Sequence, residues 1–244
     1  MSYTMGSLFA GIGGFDLGFT RAGFDVTWEV EIDPYCQKVL AKNFPEAERF
    51  GDIRECGSHN LKPVDVICGG FPCQDISNAG RKAGIDGKRS GLWAEMLRIV
   101  CELRPKLVLI ENVSALVAFG LERVLCDLAA NGFDAEWEVI SAAAVGAGHL
   151  RERIWILAYP MCEGQQGHIP WEGVLESNKS PFAKHSNAGF DHWKGLEDFA
   201  AGLPEIDGLS VGLVRRCVQG LGNAVVPQIP EMIATRIKQA LEAA

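Results

Sequence analysis

Short runs of consecutive apolar residues alternate along the first half of the chain with segments whose apolar positions recur every three or four residues. Residues 4–9, 24–31, 64–69 and 107–110 read as buried strands, and residues 48–50 as a short one. Residues 14–22, 34–43, 92–103 and 116–130 read as helices. In the third of these Leu92, Met96, Ile99, Val100 and Leu103 share a face, and Pro105 ends it. Strand–helix alternation of this kind implies a doubly wound α/β sheet, mostly parallel, with helices on both faces. The pattern then changes. Residues 137–142 and 154–158 are strand-like, but the link between them is too short for a crossover helix, so they should pair antiparallel. From residue 161 to about 209 periodicity fades and Gly, Pro, Asn, Ser and Trp become frequent, marking a separate small unit or a long insertion. A last helix is expected over residues 229–241.

Composition narrows the class. The 244 residues are 48% hydrophobic and 22% charged, too apolar for disorder and too evenly mixed for a fibre. No run approaches the roughly 18 unbroken apolar residues of a membrane span. The opening segment carries Asp16 inside its apolar run, unlike a secretory leader, so a cytoplasmic setting is expected. Eight cysteines are scattered with no CxxC pair and no Cys/His metal spacing. No metal is expected, and all but one or two of the thiols are assigned to the core as small apolar side chains. The net charge of −8 argues against general affinity for nucleic acid, because phosphates are neutralised by Lys and Arg. Nucleic-acid chemistry would have to rest on local cations.

Four motifs carry candidate chemistry. LFAGIGG, residues 8–14, leaves the first strand and enters a helix, the position of a nucleotide-binding first loop. Asp16 stands where the third glycine of G-x-G-x-x-G belongs, which weakens a pyrophosphate cradle and with it a nicotinamide oxidoreductase. A cofactor without pyrophosphate, such as S-adenosylmethionine, needs only close backbone approach and a ribose partner. Glu31, 20 residues beyond Gly11 at a strand end, suits the ribose, and Asp52 in GDI suits an adenine amino group. The plainer alternative is a tight turn flanked by surface acids.

GGFPCQDIS, residues 69–77, follows the fourth strand. Ligands bind outside the carboxyl ends of strands in such sheets, which favours Cys73 as a nucleophile, whereas Cys68 inside the strand reads as core. The loop beyond it carries Arg81, Lys82, Lys88 and Arg89, the most basic stretch of an acidic chain. Without Cys73 beside it, this would read as a solvated surface loop. ENV, residues 111–113, puts Glu111 on the same sheet edge. RER, residues 151–153, either points Arg151 and Arg153 the same way from an extended segment or forms a solvated turn.

LFAGIGG, EID, GDI, GFPCQ, RSGLW, ENV, RER and GNAVVP follow one another in the order found in DNA cytosine-5 methyltransferases. Over about residues 4–159 and 211–240 the chain resembles that family, in its compact restriction–modification or phage type. The resemblance implies a Rossmann-like methyltransferase sheet built from residues 1–159 and 211–244, with one antiparallel strand and a short target-recognition region at 160–210. It implies methylation of cytosine C5 in double-stranded DNA by a monomer, with S-adenosyl-L-methionine as donor and the base flipped from the stack. Cys73 is similar to the nucleophile that adds to C6, and Glu111 to the acid at N3. Arg151 and Arg153 resemble the pair that orients the Glu111 carboxylate and the cytosine O2. The implied cofactor pocket comprises Phe9, Gly11, Ile12, Gly13, Gly14, Glu31, Ile32, Asp52, Ile53, Pro72, Leu92, Asn223, Ala224 and Val225. Gln74, Ser77, Arg81, Lys82, Lys88 and Arg89 are the implied DNA contacts. Gly148 and His149 stand where the family usually has Pro-Gln, and the charged residues of the recognition region are mostly acidic. Most phosphate contact is therefore expected from the loop after Cys73. Two other readings keep the same residues: methylation of cytosine in tRNA, and a silent relative that binds cofactor or a partner chain without turnover.

Overall fold

The structure, a computed structural model, describes residues 2–72, 91–147, 149–161, 174–175 and 224–243. Seven strands build one sheet: β1 (Tyr3–Leu8), β2 (Phe24–Val30), β3 (Glu48–Phe50), β4 (Val66–Gly69), β5 (Leu107–Val113), β6 (Phe133–Ser141) and β7 (Glu152–Pro160). Their order is β3-β2-β1-β4-β5-β7-β6. The first five are mutually parallel, and β7 runs antiparallel to both β5 and β6. The antiparallel pairing of β6 and β7 is the one expected from their short link. Because β7 is reversed, its first residues lie beside the last residues of β5, with Val113 opposite Arg153 and Glu111 opposite Trp155.

The helices among the described residues are α1 (Gly14–Arg21), α2 (Pro34–Asn43), α3 (Gly91–Leu103), α4 (Leu116–Phe119), α5 (Leu121–Ala130) and α6 (Gln228–Ala243). Local chemistry accounts for several boundaries. Asp33 caps α2 by accepting from the Tyr35 and Cys36 N–H groups, and Pro34 fills the first helical position, where its missing N–H costs nothing. The single helix expected over 116–130 is divided at Gly120, whose extended φ of −178° breaks the spiral so that α5 restarts from the Gly120 carbonyl.

Each sheet face has its own apolar core. Met5, Val66, Leu107, Leu109, Trp155 and Leu157 pack with Phe15 and Phe19 of α1 and Ile233 and Ile237 of α6. On the other face Val108, Ile110, Ile154 and Ile156 pack with Met96 and Ile99 of α3 and Val124 and Leu128 of α5. With both faces covered, β4 and the first part of β5 are apolar at every position, as parallel strands require. Val174 and Leu175, inside the expected recognition region, are buried on the α1/α6 side, and Arg236 Nη1 donates to the Val174 carbonyl at 3.0 Å.

The thiols depart from their expected placement. Cys56 and Cys68 are buried, Cys36 and Cys101 are half-buried, and Cys126 is exposed. Cys126 lies on α5 away from the face by which Leu121, Val124 and Leu128 enter the core. Among the described residues no helix is long and apolar enough to cross a membrane.

Candidate active site

The first loop is shaped by backbone that few side chains tolerate. Phe9, Gly11 and Gly13 have φ of 55°, 57° and 89°, and the left-handed Phe9 is a strained residue in a loop otherwise relieved by glycine. Glu31 holds this loop: Oε2 accepts from the Gly11 N–H at 2.7 Å and Oε1 from the Asp33 N–H at 2.8 Å. A carboxylate has about four lone-pair positions, so these two bonds leave room for hydroxyl donors. Sequence reasoning assigned Glu31 a ligand and missed this brace.

A Cβ added at Gly11 would meet nothing within 4 Å, so the loop opens onto free space there. At Gly14 the same atom would lie 2.6 Å from the Val225 carbonyl oxygen, so the segment carrying Ala224 and Val225 rests on the first loop. Gly13 faces the Phe44 ring, and Ile12 lies between the two left-handed glycines. Ile32, next to Glu31, is 66% exposed, a conspicuous value for isoleucine beside an open loop. Asp52 accepts from Arg54 N and Nε at 3.0 and 2.9 Å, capping the 3-10 turn Ile53–Glu55. These bonds hold its carboxyl down at about 2. Ile53 is buried below that turn, and Leu92 packs against the same core from the first turn of α3.

The acid side of the site is built on β5 and β7. Arg153 Nε lies 3.0 Å from Glu111 Oε1, with the two side chains 22% and 13% exposed. A Cβ at Gly70 would stand 2.9 Å from Glu111 Oε2, so the glycine ahead of Phe71 and Pro72 makes room for the carboxyl. Burial pushes the Glu111 carboxyl above its ordinary range, against the pull of Arg153 and Arg151. Burial draws the Arg151 guanidinium down, and the Arg153 charge adds to this. A raised carboxyl fixed by a cation is suited to holding and delivering a proton.

Asn112 points to the opposite sheet face, where its Nδ2 donates to the Phe71 carbonyl at 3.1 Å and its Oδ1 accepts from the Val113 N–H. It is 3% exposed. An amide in an apolar strand was the available signal for such a brace, since a buried amide must find partners. The strand edge therefore carries Glu111 on one face and a tie to the Phe71–Pro72 segment on the other.

Cys73, Gln74, Ser77, Arg81, Lys82, Lys88, Arg89, Gly148 and Asn223 lie outside the described residues, as does most of 160–210. His149 is exposed and Leu150 is 81% exposed, immediately ahead of Arg151. Among the described residues no cluster of His, Cys, Asp and Glu suits a metal ion.

Residues 3–195 match the family profile described as C-5 cytosine-specific DNA methylase. The chain is 34% identical over 219 residues to the Type II methyltransferase M.AquIA of Picosynechococcus sp., covering 81% of this chain and 88% of that protein. It is 37% identical over 163 residues to the Type II methyltransferase M2.BsuMI of Bacillus subtilis, covering 62% of this chain. The aligned part spans 41% of the length of that relative. The Entamoeba histolytica methyltransferase EhMeth shares the fold, with a TM-score of 0.65 at 17% identity, over 100% of this chain and 99% of that one.

Proposed function

Since the chain belongs to the C-5 cytosine-specific DNA methylase family, we propose that it methylates cytosine C5 in double-stranded DNA through a covalent adduct of Cys73 on a flipped base. The observation that carries this reading is the largely buried, raised Glu111 carboxyl held by Arg153 at the end of β5. Cytosine C5 is a weak nucleophile, so the ring must first be activated. The Cys73 thiolate forms a bond to C6 while the Glu111 carboxylic acid gives its proton to N3, which leaves the displaced electron pair at C5. Arg153 fixes the rotamer of Glu111, and Arg151 adds positive charge on the side of the cytosine O2. After methyl transfer a base removes the C5 proton, the freed pair forms the C5–C6 double bond as the C6–S bond breaks and releases the Cys73 thiolate, and N3 returns its proton to the Glu111 carboxylate.

The cofactor is S-adenosyl-L-methionine, which when bound supplies the electrophilic methyl group. The first loop fits it: open space at Gly11, acceptor positions on Glu31 beyond those its two backbone bonds use among the described residues, and exposed Ile32 beside them. Glu31 would take the ribose hydroxyls, and Gly11, Ile12, Gly13, Asp52, Ala224 and Val225 would complete the pocket. Residues 160–210 would read the target, with Arg81, Lys82, Lys88 and Arg89 gripping phosphates.

Polymerase-made duplex DNA in which 5-fluorocytosine replaces every cytosine tests the mechanism, because fluorine cannot leave as a proton. The wild-type chain with cofactor should form a species that survives denaturation, and Cys73→Ala should form none. Glu111→Gln keeps shape but cannot give a proton, so methylation should slow by about 10²–10⁴-fold with cofactor binding retained. Transfer of labelled methyl to tRNA and not to duplex DNA would overturn the substrate assignment.

A further inference from the structure

The segment that carries Cys73 leaves the sheet through Phe71 and Pro72, and the chain returns at Gly91 to begin α3. These two ends are braced against each other. The Phe71 ring packs on the Trp93 indole, with centroids 5.3 Å apart at 47°, and both residues are 4% exposed. Trp93 Nε1 donates to Asp127 Oδ2 on α5 at 2.9 Å. The Asp127 carboxylate is itself held by Arg123 Nε, 2.9 Å from each of its oxygens. On the other side Asn112 fixes the Phe71 carbonyl. The catalytic function proposed above uses neither Trp93 nor Asp127.

The indole bond has a mechanical role that simple packing does not. An aromatic ring in an apolar pocket can tilt at little cost, whereas a ring with its N–H anchored has one orientation. The Asp127 side chain is 23% exposed, so a carboxylate only partly open to solvent holds a buried ring. The ring so held is the surface on which Phe71 rests, and Phe71 lies two residues before Cys73. Attack on C6 requires the sulfur within about 3–3.5 Å of the carbon, and displacement of about 1 Å can cost roughly 10²-fold.

We infer that Trp93, anchored by Asp127, is a positioning residue for Cys73: it sets the base from which the thiol reaches the cytosine. This rests on the reading in which Cys73 attacks the base.

The test is the rate of adduct formation on the 5-fluorocytosine duplex, measured beside S-adenosylhomocysteine affinity and thermal melting. Asp127→Ala should slow trapping about tenfold, well within the range for misplaced groups, with homocysteine-analogue affinity unchanged. Asp127→Asn, whose amide oxygen still accepts from the indole but whose charge is gone, should trap near the wild-type rate. Trp93→Phe, which keeps the ring contact and removes the N–H, should behave like Asp127→Ala and serves if that variant does not fold. Three results would overturn the inference: wild-type trapping in Asp127→Ala or Trp93→Phe, an Asn variant as slow as the Ala variant, or cofactor affinity falling in step with rate. A wild-type chain that traps nothing would remove the underlying mechanism, and that failure is distinguishable because it precedes any substitution.

Discussion

The carboxyl group of Asp16 lies wholly inside the protein in the first turn of α1, where Ser7 Oγ donates to its Oδ2 at 3.3 Å and its Oδ1 has no hydrogen-bond partner among the described residues. Beneath it Cys68, Ser7, Glu29 and Arg49 form one row across β4, β1, β2 and β3. Glu29 is also fully buried and pairs with Arg49 at 3.1 Å. Burial pushes Asp16 from 3.8 up to about 8, with the Glu29 charge adding. Burial likewise takes Glu29 from 4.5 to about 7, against Arg49. The folded chain therefore binds protons more tightly than the unfolded chain. That contribution to stability is complete below about pH 4 and is lost as pH rises through 7 and 8. Asp16→Asn imitates the protonated acid, so its melting temperature should fall less steeply than the wild type's between about pH 5 and 8.5. Parallel curves would contradict this account. Reading the sequence, Asp16 was legible as the residue that spoils a glycine fingerprint; its burial was not, because α1 turns it toward the sheet.

Element boundaries were legible where the governing chemistry is local. Asp33-Pro34 fixes the start of α2 through a cap and a pre-set φ, and Arg104 and Pro105 stop α3. They were obscure where a distant partner decides. β5 runs on through Glu111, Asn112 and Val113 because β7 pairs with those polar residues, and nothing within ENV itself announces a strand. The same holds for α1 against α6. A Cβ at Gly18 would lie 2.7 Å from the Pro227 carbonyl oxygen and 2.8 Å from the Glu231 N, both backbone atoms. Gly18→Ala must push the two helices apart, which should cost about 1–3 kcal/mol, read as a lower denaturant midpoint in urea. An unchanged midpoint would mean the helices approach less closely than described.

Across the whole molecule a net charge of −8 has to coexist with the polyanionic substrate proposed above. Binding to duplex DNA should therefore depend weakly on salt, since the slope grows by roughly 0.9 for each phosphate neutralised. Replacing Arg81 and Lys82 together with alanine should flatten it by about 1–2 and weaken all sequences alike. A steep slope surviving in that variant would put the grip elsewhere. The sheet, its reversed strand and the acid on β5 could be read from pattern and motif order. The partners of Asn112 and Trp93 could not, because Phe71 and Asp127 are brought close to them only by the fold. Glu111 and Arg153 meet as diagonal neighbours on two hydrogen-bonded strands, Glu111 facing Trp155 and Arg153 facing Val113. Their spacing is thus a matter of ladder register, and a slip of one residue would send the guanidinium to the far face. A deletion within β7 is for this reason inadmissible, because a lost residue would separate the acid from its cation while leaving both letters in the sequence.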